Sequence, residues 1–216
     1  MGERRVSKPT VSRLPLYWRS LERRASDDLR YVSSEQLANW TGFKEPTIRR
    51  DLWSLGVAGV RGFGYDVATV VLALGRHLGL ERQTNVVIVG VGHLGHALAQ
   101  YPVFATHGMR VAALLDADPD LAGYQIGDAV VEDVDCLEQV VAARDITVGI
   151  IAVPADAAQD VAERLAVAGI GGILNFAPRV LVVPDTVMVR NVDLSVELQI
   201  LAYYLQAAAG PVNPQA

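Results

Sequence analysis

Residues Asn85 to Asp116 constrain the fold more than any other stretch of the chain. An apolar run, Asn85-Val-Val-Ile-Val89, enters the turn Gly90-Val91-Gly92-His93-Leu94-Gly95; a helix-length segment follows, then Arg110-Val-Ala-Ala-Leu-Leu115 and Asp116. This is one strand-helix-strand unit, which commits the region to an α/β fold with a parallel sheet. The first glycine permits a tight turn, the second lets a pyrophosphate approach the backbone, and the third lets the helix pack closely on the strand. Phosphate then meets the positive helix N-terminus. Asp116 lies 21 residues beyond Gly95, where a carboxylate accepts both ribose hydroxyls and repels a 2′-phosphate, so NAD(H) is expected over NADP(H).

With 216 residues, 51% hydrophobic and 20% charged, the chain is expected to fold as one large domain or two small ones. It has one cysteine, Cys136, and no long apolar run, so neither a disulfide framework nor a membrane span is expected. Met1-Gly-Glu-Arg-Arg-Val6 is charged with no apolar segment behind it, unlike a secretory signal, and a cytoplasmic protein is expected. Charge is divided unevenly: residues 1–80 carry 13 Lys+Arg against 8 Asp+Glu, and residues 81–216 carry 6 against 16. A basic segment on an acidic body suits a polyanion-binding module, and equally a solvated basic face.

The first 80 residues read as three helices and a ribbon. Leu14, Tyr17, Trp18 and Leu21 recur at spacings of three and four, predicting a helix from about Val11 to Arg24. Ser33-Ser34-Glu35-Gln36 forms a capping box that starts a second helix ending near Thr41-Gly42; Pro46 suits the first turn of a third through Leu52. With Ser34 as the first position, Ala38 is fifth, Gly42 ninth and Ile48 fifteenth, the pattern of a helix-turn-helix. Lys44, Thr47, Arg49 and Arg50 are then candidates for contact with DNA, the arginines by pairing with guanine edges or phosphates. Glycines at 56, 59, 62 and 64 suit a tight ribbon, a wing with Arg61 near its tip, reaching a narrow minor groove in A·T-rich flanks. A glycine-rich connector is the other reading of that stretch.

Beyond Asp116, Ile146 to Val153 is a continuous apolar run ending at Pro154, as in a buried parallel strand, and Asp160 to Ala168 is a helix. Val153, Pro154, Asn175, Ala177 and Pro178 follow predicted strands on the side where nucleotides bind, so they are candidates for the nicotinamide pocket. Phe176 is either a pocket residue or a core aromatic. From Leu194 onward Leu198, Leu201 and Leu205 mark a helix with one face needing burial, stopped by Gly210-Pro211. A second subunit, or the chain's own domain, can cover it.

Catalysis is not expected. Lys8 and Lys44 both precede the nucleotide region, so no Tyr-x-x-x-Lys pair exists there, and His93 and His96 sit in the phosphate turn without the further ligands a metal needs. Asp133, Asp135 and Glu138 surround Cys136 with negative charge, so a structural cysteine is expected. The competing classes are an NAD-dependent oxidoreductase and a nucleotide-binding scaffold that touches no DNA.

The ordered series Ile48-Arg49-Arg50-Asp51-Leu52, Arg61-Gly62-Phe63-Gly64-Tyr65-Asp66, Gly90 to Gly95, Tyr101-Pro102, Asp116-Ala-Asp118-Pro119, Ile151-Ala-Val-Pro-Ala155, Gly171-Gly-Ile-Leu-Asn-Phe-Ala-Pro178 and Asn191-Val-Asp193 resembles the Rex family of redox-sensing transcriptional repressors. The resemblance covers about Val11 to Leu205. It implies an N-terminal winged-helix domain over 1–80, a Rossmann-type doubly wound NAD(H)-binding domain over 81–193, and a C-terminal helix in 194–216 exchanged within a homodimer. It also implies binding to inverted-repeat operators and release when NADH, bound in preference to NAD+, rises. By the same resemblance Arg19, Tyr101 and Asp193 form a switch, Tyr101 near the nicotinamide and Arg19 pairing with Asp193 in one state. His93, Val103, Trp53-Ser54 and Leu194 depart from the family's usual residues.

Overall fold

Ser7 opens the first helix, α1 (Lys8–Glu22): its hydroxyl accepts the Thr10 amide, and Pro9 occupies the first turn, where a missing N–H leaves no bond unmade. The helix thus begins three residues before the apolar spacing announces it. The computed structural model describes residues 6–24 and 29–209 and divides into two units, Met1–Arg82 and Gln83–Ala216. The charged N-terminal Met1 to Arg5 and the predicted stop at Gly210-Pro211 lie outside the described residues.

In the first unit α1 is followed by β1 (Tyr31–Val32), α2 (Ser34–Thr41), α3 (Glu45–Ser54), β2 (Tyr65–Asp66) and α4 (Val67–Leu78). The capping box forms as the sequence reads it: the Ser33 hydroxyl accepts the Gln36 amide, and the Gln36 side chain accepts the Ser33 amide. Two readings need correction. A fourth helix, α4, follows the ribbon, capped by Asp66, which accepts the Thr69 amide. The ribbon itself is narrower than predicted, a single bridge between Val60 and Gly64. Gly64 explains the change, because a Cβ there would lie 2.4 Å from the Val32 carbonyl oxygen. Without one, the chain passes directly over β1, and Tyr65 and Asp66 pair antiparallel with Val32 and Tyr31.

Leu14, Tyr17 and Leu21 of α1, Leu37 of α2, Ile48 and Leu52 of α3, and Val70 and Leu74 of α4 make one buried core. Each contributes about 1.5–3 kcal/mol by leaving water. At the centre of that core lies a carboxylate. Asp51 on α3 is 1% exposed and accepts two hydrogen bonds from the Arg13 guanidinium (2.7 and 2.8 Å), one from the Tyr17 hydroxyl (2.8 Å) and one from the Thr10 hydroxyl (3.0 Å). Burial pushes the carboxyl up, but the hydrogen bonds of Arg13, Tyr17 and Thr10, with the charge of Arg13, outweigh it and hold it below its usual value. This clamp fixes the rotation of α3 about its axis relative to α1.

The second unit contains β3 (Thr84–Val89), α5 (His93–Ala99), α6 (Val103–Thr106), β4 (Met109–Asp116), β5 (Gln125–Ile126), β6 (Ala129–Asp133), α7 (Leu137–Ala143), β7 (Ile146–Ile151), α8 (Ala158–Val167), β8 (Gly172–Asn175), β9 (Met188–Asn191) and α9 (Leu194–Ala209). The sheet order is β5-β6-β4-β3-β7-β8-β9, parallel except for the β5–β6 edge. Alternate residues of the central strands feed two cores. Val87, Val89, Ala113 and Leu115 pack with Leu137, Val141, Val161 and Leu165 of α7 and α8. Val86, Ile88 and Leu114 pack with Leu98 and Phe104 from the α5–α6 region. Burial on both faces accounts for the unbroken apolar runs of these strands.

The leucine face of helix α9 is uncovered in the single chain. Leu194, Leu198, Leu201 and Leu205 are 58–72% exposed, and Tyr203 and Tyr204 add 67% and 64%. Val196, Ile200 and the two tyrosines widen the leucine face, while Ser195, Gln199 and Gln206 keep one side polar. Its start is capped by Asp193, which accepts the Ser195 amide and hydroxyl and is held below the usual carboxylate range by them. Among the described residues no helix is long and apolar enough to cross a membrane.

The clamp predicts a pH signature. Its carboxylate has a lowered folded value against about 3.9 when unfolded, so the stabilisation is complete above the unfolded value and is lost as pH falls through the folded one. Asp51→Asn leaves Arg13 without its counter-ion and is expected to cost roughly 3 kcal/mol at neutral pH. The gap from wild type should narrow as pH falls. Denaturant unfolding followed by tryptophan fluorescence measures this, and a gap independent of pH would contradict the assignment.

Candidate nucleotide site and nucleic-acid interface

The glycine turn is a backbone knot. Gly90 leaves β3 with φ +93°, its amide on the Leu115 carbonyl at 2.8 Å, and a Cβ on it would lie 2.6 Å from the Ala152 carbonyl oxygen. Gly95, in the first turn of α5, sits tighter still: a Cβ there would be 1.8 Å from the Gly90 carbonyl oxygen. Nothing larger than hydrogen fits, so α5 is drawn against the turn at the end of β3, the arrangement that lets a helix N-terminus take a phosphate. Asp116 at the end of β4 locks the turn from the other side. One carboxylate oxygen accepts the Val91 amide at 2.5 Å and the other accepts the Asp118 amide at 2.9 Å. The predicted ribose-binding carboxylate therefore also positions the phosphate loop.

A cavity of about 650 Å³ opens at the C-terminal ends of the strands, within the size of ligand clefts. Gly90, Gly92, Leu94, Asp116, Val153 and Pro154, all expected from sequence, line it together. Val91 does so only through its neighbours: its side chain is in the core beside Ile88 and Leu114. His93 is exposed at the first position of α5, and Gly95 lies behind the turn.

Phe176 joins the lining and also packs against the core beside Leu174, so both readings of that residue describe part of its surroundings. Asn175 has a different task. It is fully buried, its amide nitrogen donates to the Ala177 and Arg179 carbonyls and to the Asn191 side chain, and its oxygen accepts the Ala177 amide. It thereby holds the β8–β9 loop, presenting Phe176 on one side, while Ala177 is buried and Pro178 exposed. Tyr101 is 49% exposed and stacks edge-on against Phe104 at 5.4 Å, outside the cavity lining. Sequence reasoning missed the wall formed by Leu121, Val134, Val161 and Arg164. The Asp118 two residues past Asp116 was a local signal for this side; the α8 residues gave none. Cys136, expected to be structural, is an exposed free thiol. Among the described residues no cluster of three metal-ligating side chains exists.

The first unit presents a cationic face. Gly42 closes α2, its amide on the Ala38 carbonyl at 2.8 Å, and Lys44 begins α3. Ile48 points into the core, Thr47 is half-buried, and Arg49 and Arg50 are exposed. The two arginines are not equivalent. Arg49 pairs with Glu45 and donates to the Ser34 hydroxyl at 2.9 Å; Ser34 and Arg49 together hold the Glu45 carboxyl below its usual value. Arg50 has no such partner among the described residues, nor has Lys44 or, at the ribbon tip, Arg61. Beside Arg61, the exposed Phe63 stacks on Tyr31 at 5.5 Å, which stiffens the tip. Arg19 lines a separate groove with Arg23, Arg24 and Trp40.

A nucleotide cleft and a winged helix with unpaired cations, carried by one chain, define a DNA-binding regulator with a small-molecule domain. Residues 5–52 match the family model "Putative DNA-binding protein N-terminus", and residues 81–179 match "CoA binding domain". The chain is 50% identical over 207 residues to the redox-sensing transcriptional repressor Rex of Streptomyces avermitilis, covering 96% of this chain and 82% of that one. The Rex of Syntrophomonas wolfei is 41% identical, with 93% and 96% covered. Among solved structures, RSP in complex with β-NAD+ and operator DNA superposes with a TM-score of 0.89 at 38% identity, covering 95% of this chain and 94% of that one; RSP with β-NADH gives 0.84, with 94% and 96% covered. The chain belongs to the Rex family of redox-sensing transcriptional repressors. Its relatives are regulators, not enzymes, and the oxidoreductase and DNA-free scaffold readings fall away.

The knot is directly testable. Gly95→Ala forces a carbon into the Gly90 carbonyl, so the second unit should lose at least about 2–3 kcal/mol of stability and nucleotide affinity should fall with it. Thermal unfolding with and without NADH reads both, and a wild-type melting profile for the variant would contradict the close contact.

Proposed function

We propose that the chain binds inverted-repeat operator DNA as a homodimer and leaves it when NADH fills the cleft, reporting the NADH/NAD+ ratio. The observation that carries this is the pairing, within one chain, of the Gly90–Gly95 turn pinned by Asp116 with the cationic α3 and ribbon. The solved complexes of the RSP relative with β-NAD+ and operator DNA, and with β-NADH, support it. Gly90 to Gly95 would hold the pyrophosphate, Asp116 the ribose, and Val153, Pro154 and Phe176 the nicotinamide end, with Asn175, Ala177 and Pro178 shaping its loop. A palindromic operator requires fixed spacing of two recognition helices, so a small rotation of subunits suffices for release.

Lys44, Thr47, Arg49 and Arg50 would face the major groove and Arg61 the minor groove. Arg50, Lys44 and Arg61 are the stronger candidates because Arg49 is already held by Glu45 and Ser34. The broad exposed apolar face of α9 favours exchange between subunits, since such a face is stable in water only when covered. Arg19, Tyr101 and Asp193 would form the switch, with Asp193 giving up part of its hold on Ser195 to take Arg19 in one state. Val153, Pro154 and Phe176 present little polarity to a nicotinamide ring, so closure favours the neutral reduced ring over the charged oxidised one. To move the population decisively the preference must approach about 5.5 kcal/mol.

Two measurements test these assignments. Calorimetric titration should give tighter binding of NADH than of NADPH, and Asp116→Ala should shrink that difference by about tenfold or more; equal affinities in wild type would defeat the role of Asp116. For DNA, Arg50→Ala and Arg61→Ala should each weaken operator binding by about tenfold, while Lys44→Ala should lower the salt slope by about one. Unaltered binding by all three variants would remove α3 and the ribbon from the interface.

A further inference from the structure

The cleft has an end that the nicotinamide does not reach, and a side chain there has a specific architecture. Leu121 and Val134, which follow β4 and β6, line the cleft together with Val161 and Arg164 of α8. Val134 follows β6 in a short 3-10 turn, Val134–Cys136, and belongs to no regular element. What places it is Arg164 of α8. The guanidinium donates to both oxygens of Glu138, at the start of α7, at 2.8 and 2.9 Å, and to the carbonyls of Val134 (2.9 Å) and Asp135 (3.4 Å). One group thus binds the turn and the helix after it. The hydrogen bonds from Arg164 also hold the Glu138 carboxyl down at about 2, so the pair stays charged at any physiological pH. Asp160, one helical turn before Arg164, lines the same end.

We propose that Arg164 is a positioning residue for the adenine ring. By clamping the Val134–Cys136 turn onto α8 it holds Val134 in the cleft lining, where a flat apolar ring would lie past the ribose that Asp116 would hold. The inference rests on the nucleotide reading of the cleft and assigns a new task within it. The adenine half is identical in NADH and NAD+, so this clamp sets the affinity that both forms share. It leaves their ratio to the opposite end of the cleft.

Binding of ADP-ribose, NADH, NAD+ and reduced nicotinamide mononucleotide to the full chain separates this from a structural role. Arg164→Met keeps the stem and removes the clamp; it should weaken the first three by a common factor of about ten, leaving the NADH-to-NAD+ preference and the mononucleotide affinity unchanged. Should Arg164→Met fail to fold, Glu138→Gln carries the test: it lies outside the cleft lining, keeps one of the two acceptors that Arg164 uses and loses the other with the charge, so a smaller loss with the same pattern is expected. Wild-type affinity for ADP-ribose in either folded variant, or a changed NADH-to-NAD+ preference, would overturn the assignment. Failure of the wild-type chain to bind NADH or ADP-ribose would instead overturn the nucleotide reading itself.

Discussion

The architecture of the second unit depends on a backbone contact: Gly95 lies against the Gly90 carbonyl with no room for a side chain. That contact draws α5 onto the end of β3, which aims the helix N-terminus into the cleft, and the Asp116 carboxylate then fixes the turn through the Val91 amide. Strand order does the rest. With β4 on one side of β3 and β7 on the other, the turn stands where the chain reverses direction across the sheet, and ligands of open α/β sheets bind at that point. The phosphate, ribose, base and nicotinamide positions we propose all follow from where the turn sits.

The first unit solves a different problem with a buried charge. Asp51 is carried on the recognition helix itself, and four hydrogen bonds from α1 determine which face of that helix looks outward. A buried carboxylate with fewer partners would cost stability; with Arg13, Tyr17 and Thr10 around it, it acts as a register pin. The consequence for DNA is a sorting of arginines. Arg50 projects freely, while Arg49 is tied back to Glu45 and Ser34. Each unit thus has one carboxylate at a decisive turn or helix: Asp51 sets the face of α3, and Asp116 fixes the glycine turn.

Much of this was legible because its causes are local. The glycine turn, the Ser33–Gln36 capping box and the Gly42 turn are each decided within a few residues. The errors come where distant residues decide. The ribbon's partner strand, Tyr31–Val32, precedes it by some thirty positions, so the pairing was invisible, as was the helix α4 that Asp66 caps. Arg164 meets Glu138 across 26 residues, which no periodicity announces.

The central claim is that occupancy of the cleft governs the hold on DNA, and operator binding titrated separately with NADH and NAD+ at one stated salt concentration tests it most directly. The account predicts that saturating NADH lowers operator affinity by about two orders of magnitude or more, while NAD+ at equal occupancy leaves the complex largely intact. Operator affinity that does not respond to saturating NADH would contradict it.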